Sequence, residues 1–332
     1  MRKKLTAFAR LSLSVGLGAL LIWIATHRLS SEDLEQMKNA FGRANYKWLA
    51  LGISFGFISN VIRAYRWKLL LNAIGYHPSF LNTMHSVMIM YLGNLAFPRL
   101  GEISRCALLA RYENIPIQKS IGTMITERLV DVLTMIAVGI YLFWAEYDLL
   151  ADFFLSNLKK FFAASVTSSQ KYIVLATVLV LSAVGYWLLK RFAHNRLAKI
   201  ALDKAHGLLE GVKSIFEVRS GWLFLVSSIL VWLCYTLMAY ICFRALSETT
   251  HASFHAALAL VFFGGIAFII TQGGIGSYPL AVQTTLALYG VPAVVGYAFG
   301  WIVWGLQTLM VIVVGFLSLI LIATTNRPKS EK

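Results

Sequence analysis

The chain has 332 residues, 58% of them hydrophobic and only 14% charged, with a formal net charge of +15. A soluble protein of this length could bury a large core, but it could not cover its surface with so few charges, because soluble domains carry roughly a quarter charged residues. Nucleic acid is the usual partner of a strongly basic soluble protein. It is set aside here because the basic residues flank apolar runs, where they orient helices and meet anionic lipid headgroups.

Taken in chain order, apolar runs lie at about 8–26, 48–68, 121–145, 171–190, 220–243 and 294–323. Each is near the ~20 residues that a helix needs to cross the hydrocarbon of a bilayer. The runs are continuous rather than alternating, which points to helices and away from a β-barrel. The first run follows Met1-Arg2-Lys3-Lys4 and lacks a small-x-small cleavage site, so it reads as a retained helix rather than a signal peptide.

Two other apolar stretches are interrupted. Residues 81–97 run into Pro98-Arg99-Leu100-Gly101-Glu102 and resume as a shorter piece to Tyr112. Residues 253–271 run into Gln272-Gly273-Gly274-Ile275-Gly276 and resume over 278–290. Broken backbone at membrane depth is tolerated only where it is buried in protein or lines a wet cavity. Both stretches therefore read as broken or re-entrant hairpins; the alternative, two ordinary spans joined by a tight loop, would raise the number of spans to eight.

The expectation is an all-α polytopic membrane protein, a single domain over 1–332 with six full spans and two hairpins. The basic segment 189–219 and the basic ends, Arg2 to Arg10 and Arg327 to Lys332, place both termini in the cytoplasm. Segment 63–80, opening with Arg63, Arg66 and Lys68, then falls on the cytoplasmic side, and loops 28–47 and 146–170 on the far side. The hairpins enter from opposite sides, as in transporters built from inverted repeats, although the two halves share too little sequence to display a repeat directly. Residues 149–162 and 197–216 carry apolar stripes at helical spacing and read as interfacial helices. Cys106, Cys234 and Cys242 have no metal spacing and read as packing residues.

Ionisable side chains near hydrocarbon are costly unless paired or hydrated. Arg63 and Arg66, three apart on nearly one helix face, suit a lipid phosphate; the alternative is a snorkelling anchor with Trp67 marking the interface. Around the first break, Gly101 permits a tight turn, and Arg99, Glu102 and Arg105 stand ready for an anionic headgroup at a helix start, unless the segment is a polar surface loop. Glu127, Arg128 and Asp131 sit inside an apolar run. Two acids and one base call for an outside cation such as Arg63, Arg99 or Arg105, either as a binding site or as an ion-pair lock between helices. Gln272, Gly273, Gly274 and Gly276 allow close backbone approach and positive φ. P-loop, HExxH and GxSxG patterns are absent from the sequence, which argues against ATP-driven chemistry and against an enzyme, and no cofactor is expected.

In order, Arg63-x-x-Arg66-Trp67, Pro98-x-Leu100-Gly101-Glu102-x-x-Arg105, Glu127-Arg128-x-x-Asp131 and Gly273-Gly274-Ile275-Gly276 resemble the integral-membrane domain of lysylphosphatidylglycerol synthase/flippase proteins. The resemblance implies a bacterial inner-membrane protein that moves or binds a phospholipid, with membrane phospholipids bearing anionic headgroups as its partners. It leaves open a homo-oligomer or a partner lipid-modifying enzyme, an intramembrane enzyme acting on a lipid or lipid-linked carrier, and a scaffold subunit of a lipid or cell-wall synthase. The soluble domain that makes lysyl-lipid in two-domain members does not follow the last apolar run, so synthesis of that lipid is not expected. Two positions depart from the pattern: Gln272 stands where members often have proline, and Tyr278-Pro279 occupies the region where they often carry an acid.

Overall fold

The computed structural model describes residues 30–97, 100–164 and 221–326, together with positions 16, 19, 20, 22, 23 and 27. The apolar runs expected at 8–26 and 171–190, the stripe at 197–216, the basic segment 189–219, Pro98, Arg99 and the basic C-terminal tail fall largely or wholly outside these residues. The chain divides into two compact units, Met1–Gly139 with Val218–Lys332, and Ile140–Glu217.

Every regular element among the described residues is helical. In the larger unit, α1 (Ser31–Arg43) is a polar helix where a far-side loop is expected. Its start is fixed by a capping box: the Ser30 hydroxyl accepts from the Asp33 amide at 3.1 Å, and the Asp33 carboxylate accepts from the Ser30 amide at 2.8 Å. The Ser30 amide, together with the Ser30 hydroxyl that also donates to Asp33 Oδ2 at 2.9 Å, holds the Asp33 carboxyl below the usual carboxylate range. Arg43 at its end pairs with Glu248, and Ala40, Met37 and Phe41 pack into the apolar core.

Helix α2 (Tyr46–Ala73) is 28 residues long, about 42 Å at 1.5 Å per residue. It continues past Arg63 to Ala73 and buries Arg63 and Arg66. A short hairpin follows, α3 (Phe80–Ala96) and α4 (Leu100–Glu113). Next comes α5 (Ile117–Ala145), which runs from the larger unit into the smaller one. The smaller unit continues into α6 (Tyr147–Ala164), which covers the stripe at 149–162.

After the undescribed segment, α7 (Gly221–Cys242) leads through two short 3-10 turns to a second hairpin. This is α8 (Phe254–Ile270) and α9 (Ser277–Leu288), joined by a 3-10 turn at Gln272–Gly274. The last helix is α10 (Ala293–Thr325). Among the described residues, four stretches are long and apolar enough to span a bilayer, Tyr46–Ala73, Ile117–Ala145, Gly221–Ala245 and Ala293–Thr325. They match four of the six expected spans. The hairpin helices are 12 to 17 residues long, about 18–25 Å, short of the ~30 Å hydrocarbon.

Close contacts fix the directions. A side chain at Gly52 would strike Cys242 Sγ and the Met238 carbonyl, and one at Gly56 would meet Met238 Sδ. Since Arg66 meets Ser228 further along, α2 and α7 run antiparallel through a small-xxx-small contact. Leu92 lies against Gly315, His85 against Ser318 and Asn82 against Asn326, so α3 runs antiparallel to α10 and starts at its C-terminal end. Gln283 lies against Gly296 and Pro279 against Gly300, so the second hairpin opens at the N-terminal end of α10. The hairpins thus enter from opposite ends and their tips meet beside the middle of α10. There Gln272 Nε2 donates to the Asn94 carbonyl, Leu95 touches Gly273, and Trp304 Nε1 donates to the Gly273 carbonyl at 2.7 Å. The order long helix, hairpin, long helix occurs twice.

Candidate functional site

The polar centre forms where α2, α4, α5 and α7 converge. The i, i+3 spacing of Arg63 and Arg66 turns both guanidiniums to α5, where the i, i+4 spacing of Glu127 and Asp131 stacks two carboxylates to receive them. Arg63 Nη1 donates to Glu127 Oε1 and Asp131 Oδ2, each at 2.8 Å. Arg66 Nη2 donates to Glu127 Oε1 at 3.1 Å and Asp131 Oδ1 at 2.7 Å. Arg105 of α4 brings Nη1 to 2.9 Å from the other Glu127 oxygen. That contact is ionic without an aligned hydrogen bond, and among the described residues the Arg105 nitrogens have no hydrogen-bond partner. The Arg105 guanidinium instead lies over the Trp67 ring at 4.4 Å, a favourable cation–π arrangement.

From α7, the Ser228 hydroxyl accepts from Arg66 Nη1 at 3.2 Å and the Tyr235 hydroxyl accepts from Arg63 Nη2 at 3.5 Å. Trp67 Nε1 donates to the Thr123 hydroxyl at 3.0 Å, which ties α2 to α5 beneath the cluster. Arg66, Arg105 and Glu127 side chains are wholly buried. Desolvating such groups costs several kcal/mol each, and only this mutual pairing offsets it. On the outer edge, Arg128 Nη2 lies 3.3 Å from Glu102 Oε1, and Nη1 lies 3.8 Å from Asp131 Oδ2. Four arginines against three carboxylates leave one formal positive charge in excess.

The structure therefore joins Arg63, Arg66, Glu102, Arg105, Glu127, Arg128 and Asp131 in one network. Several expectations are corrected. Arg63 and Arg66 are neither snorkelling anchors nor free for a phosphate; carboxylates already occupy them. Trp67 does not mark an interface, because it is fully buried. The segment from Leu100 is a helix rather than a polar surface loop. Its first amides are also engaged, Gly101 N with Asn94 Oδ1 at 2.9 Å and Leu100 N with the Phe97 carbonyl at 3.2 Å, so they do not present a bare N-terminus to an anion. Arg99 lies outside the described residues.

Gly101 has a packing role as well. A Cβ there would stand 1.9 Å from the Met90 carbonyl oxygen, so glycine alone allows α4 to lie on α3 at this depth. Gln272, Gly273, Gly274 and Gly276 form the other hairpin tip, and among the described residues no hydrogen bond or ion pair links them to the charged network. Gly273, Gly274 and Gly276 adopt φ of 60° to 73°, the left-handed region that glycine tolerates. The freed polar groups are satisfied internally: the Thr271 hydroxyl donates to the Ile275 carbonyl at 3.0 Å, and that of Ser277 to the Ala267 carbonyl at 2.8 Å. Tyr235, Ser228 and Asn94 were not singled out from the sequence. Among the described residues no group of three or more His, Cys, Asp or Glu converges as for a metal ion.

The chain matches the family described as the lysylphosphatidylglycerol synthase TM region over residues 11–315. It is also similar to a UPF0104 membrane protein from Methanocaldococcus jannaschii, 20% identical over 314 residues that cover 90% of this chain and 92% of the relative. No solved structure matches it. With the family match spanning nearly its whole length and four long apolar helices among the described residues, the chain belongs to the lysylphosphatidylglycerol synthase transmembrane-region family and is a multi-pass integral membrane protein.

Proposed function

We propose that this protein binds a phospholipid by its anionic headgroup and passes it between the leaflets of a bacterial cytoplasmic membrane, with both termini in the cytoplasm. The observation that carries the reading is the charged network with one excess cation, set beside two half-length hairpins that enter from opposite ends and touch at their tips. Discontinuous helices of this kind are tolerated where they line a path. An excess of guanidinium supplies the charge that a phosphodiester needs when it leaves water. In this reading the chain changes no covalent bond of the lipid, and membrane phospholipids are its partners.

The test is reconstitution into vesicles with fluorescent anionic, zwitterionic and aminoacylated phospholipids, following the fraction accessible to a quencher outside. Exchange faster than in protein-free vesicles is expected for at least one anionic class. Equal rates with and without protein, across all classes, would overturn the reading.

A second reading is favoured by the saturation of Arg63 and Arg66: the network is an ion-pair lock in a scaffold subunit of a lipid or cell-wall synthase. The two readings separate in cells lacking the gene. A scaffold tolerates Arg128→Gln at the exposed edge of the network, with the protein still folded and in the membrane; a transporter does not.

A further inference from the structure

We propose that Arg128 is the residue that takes the headgroup phosphate, by exchanging Glu102 for the oxygens of the ligand. The proposal rests on the phospholipid reading above and names the element of the site that makes first contact.

The arginines of the network are not equivalent. Arg63 and Arg66 each hold both Glu127 and Asp131 at 2.7–3.1 Å with side chains at most 5% exposed. Arg105 is wholly buried between Glu127 and the Trp67 ring. An incoming anion meets none of these first. The Arg128 side chain is 40% exposed, and its partners are the most accessible acids, Glu102 at 20% and Asp131 at 14%. Its ion pairs, at 3.3 and 3.8 Å, are also the longest among the charged residues of the network, beyond the ~2.7–2.9 Å of a strong charge-assisted bond. Another contact of its Nη2 is the Met90 sulfur at 3.8 Å, a weak acceptor. A phosphodiester offers this fork two parallel N–H···O bonds that Glu102 and Asp131 do not supply.

The geometry also dictates which partner moves. Glu102 follows Gly101, whose Cα is pressed against the Met90 backbone, and Gly101 N is held by Asn94. The backbone at Glu102 cannot follow a retreating guanidinium, so the exchange occurs through the long, mobile side chain of Arg128. Released Glu102, whose buried Oε2 has no hydrogen-bond partner among the described residues, becomes an acceptor for a donor on the same headgroup. The charge balance agrees: Arg128 and Glu102 neutralise each other before binding, and the excess positive charge matches one phosphodiester.

The test uses the full chain in phosphatidylcholine nanodiscs, titrated with a fluorescent short-chain phosphatidylglycerol. Glu102→Gln removes the competitor and is expected to tighten binding about three- to tenfold. Arg128→Gln is expected to weaken it about tenfold, and the double variant to be as weak as Arg128→Gln. A gain of affinity in Glu102→Gln is a result that neither misfolding nor a merely structural pair produces. If the unsubstituted chain binds phosphatidylglycerol but Arg128→Gln binds equally well, or Glu102→Gln binds more weakly, the assignment to Arg128 is overturned and the phospholipid reading stands. If the unsubstituted chain does not distinguish phosphatidylglycerol from phosphatidylcholine, the phospholipid reading itself fails. Soluble glycerophosphoglycerol is the remaining arm. Weak displacement supports a lipid ligand; displacement at equal concentration, lost in Arg128→Gln, supports capture by Arg128 but makes the ligand a soluble phosphodiester.

Discussion

Glu127 is the carboxylate on which three helices depend, so its removal is the most demanding test of the network. Its side chain is fully buried and lies within 3.1 Å of guanidinium nitrogens of Arg63 and Arg66 on α2 and Arg105 on α4. Glu127→Ala leaves Arg63 and Arg66 sharing Asp131, and leaves Arg105 with the Trp67 ring as its remaining close electrostatic contact. Removing one partner of a buried pair costs about 3–5 kcal/mol, because the surviving charge stays desolvated. The expected loss for Glu127→Ala is in that range. For Glu127→Gln, which keeps the volume and a neutral acceptor but loses the charge, it is about 2–3 kcal/mol. Unfolding by denaturant in lipid–detergent micelles, followed by helical circular dichroism, measures both. The double variant Glu127→Gln/Arg105→Gln removes one charge of each sign, and should lose less than the sum of the single changes. A loss below about 1 kcal/mol for Glu127→Ala, with the fold intact, would mean that water already screens these guanidiniums, and the buried-network account would be wrong.

Three further outcomes follow from other parts of the fold. Gly101→Ala places a methyl group against the Met90 carbonyl and should cost at least the ~1–3 kcal/mol of an overpacked core, read as lower yield and lower thermal stability of the purified protein. Gln272→Ala removes the tip-to-tip bond to Asn94. It should speed amide hydrogen exchange at both hairpin tips while changing global stability by only about 1 kcal/mol. Ser30→Ala breaks the cap of α1, worth about 1 kcal/mol. The Ser30 hydroxyl also donates to Asp33 Oδ2 at 2.9 Å. With the Ser30 amide it holds the Asp33 carboxyl below its ordinary value, so this part of the cap is present at neutral pH and is lost as pH falls through that depressed value; the difference between Ser30→Ala and the unsubstituted chain should shrink in acid.

The long helices and both hairpins were legible in the sequence because each leaves a one-dimensional trace, an apolar run or a glycine-rich interruption within one. Helix α1 left another kind of trace. It is polar, so hydropathy passes over it, yet the spacing of Ser30 and Asp33 is a capping signature that marks its start. The acids and arginines were legible as groups that need partners, and Arg63 and Arg105 as partners for Glu127 and Asp131. Arg66 and Trp67 were misjudged because a helix carrying two arginines and a tryptophan after an apolar run looks as though it ends at the interface. Instead α2 continues to Ala73 with those side chains turned inward. Ser228 and Tyr235 were not legible, since their roles depend on the antiparallel register of α2 and α7. Glycines at 52 and 56 set that register by close approach to residues nearly two hundred positions away.

Among the described residues the two halves repeat in the order of their elements but not in chemistry, and the difference bears on which hairpin can move. Gly139 lies twenty-two residues past the start of α5 and touches Phe262 on α8; Gly315 lies twenty-two past the start of α10 and touches Leu92 on α3. By the same count Arg128 and Trp304 are equivalent, each eleven residues into its helix, and each donates to the hairpin of its own half. Trp304 does so with a neutral, part-buried N–H to a backbone carbonyl at 2.7 Å, a short bond with no net charge to draw an anion. Its hairpin is further clamped to α10 where Pro279 and Gln283 meet the glycines at 300 and 296. Arg128 does so with a half-exposed cation on a carboxylate at 3.3 Å, a contact that any better anion can replace. Equivalent positions thus make one permanent fastening and one exchangeable one. An anionic headgroup would therefore loosen α4 from α5 while leaving α9 fixed on α10. The signature of that asymmetry is faster hydrogen exchange in the first hairpin alone when phosphatidylglycerol is added; equal change in both hairpins would contradict it.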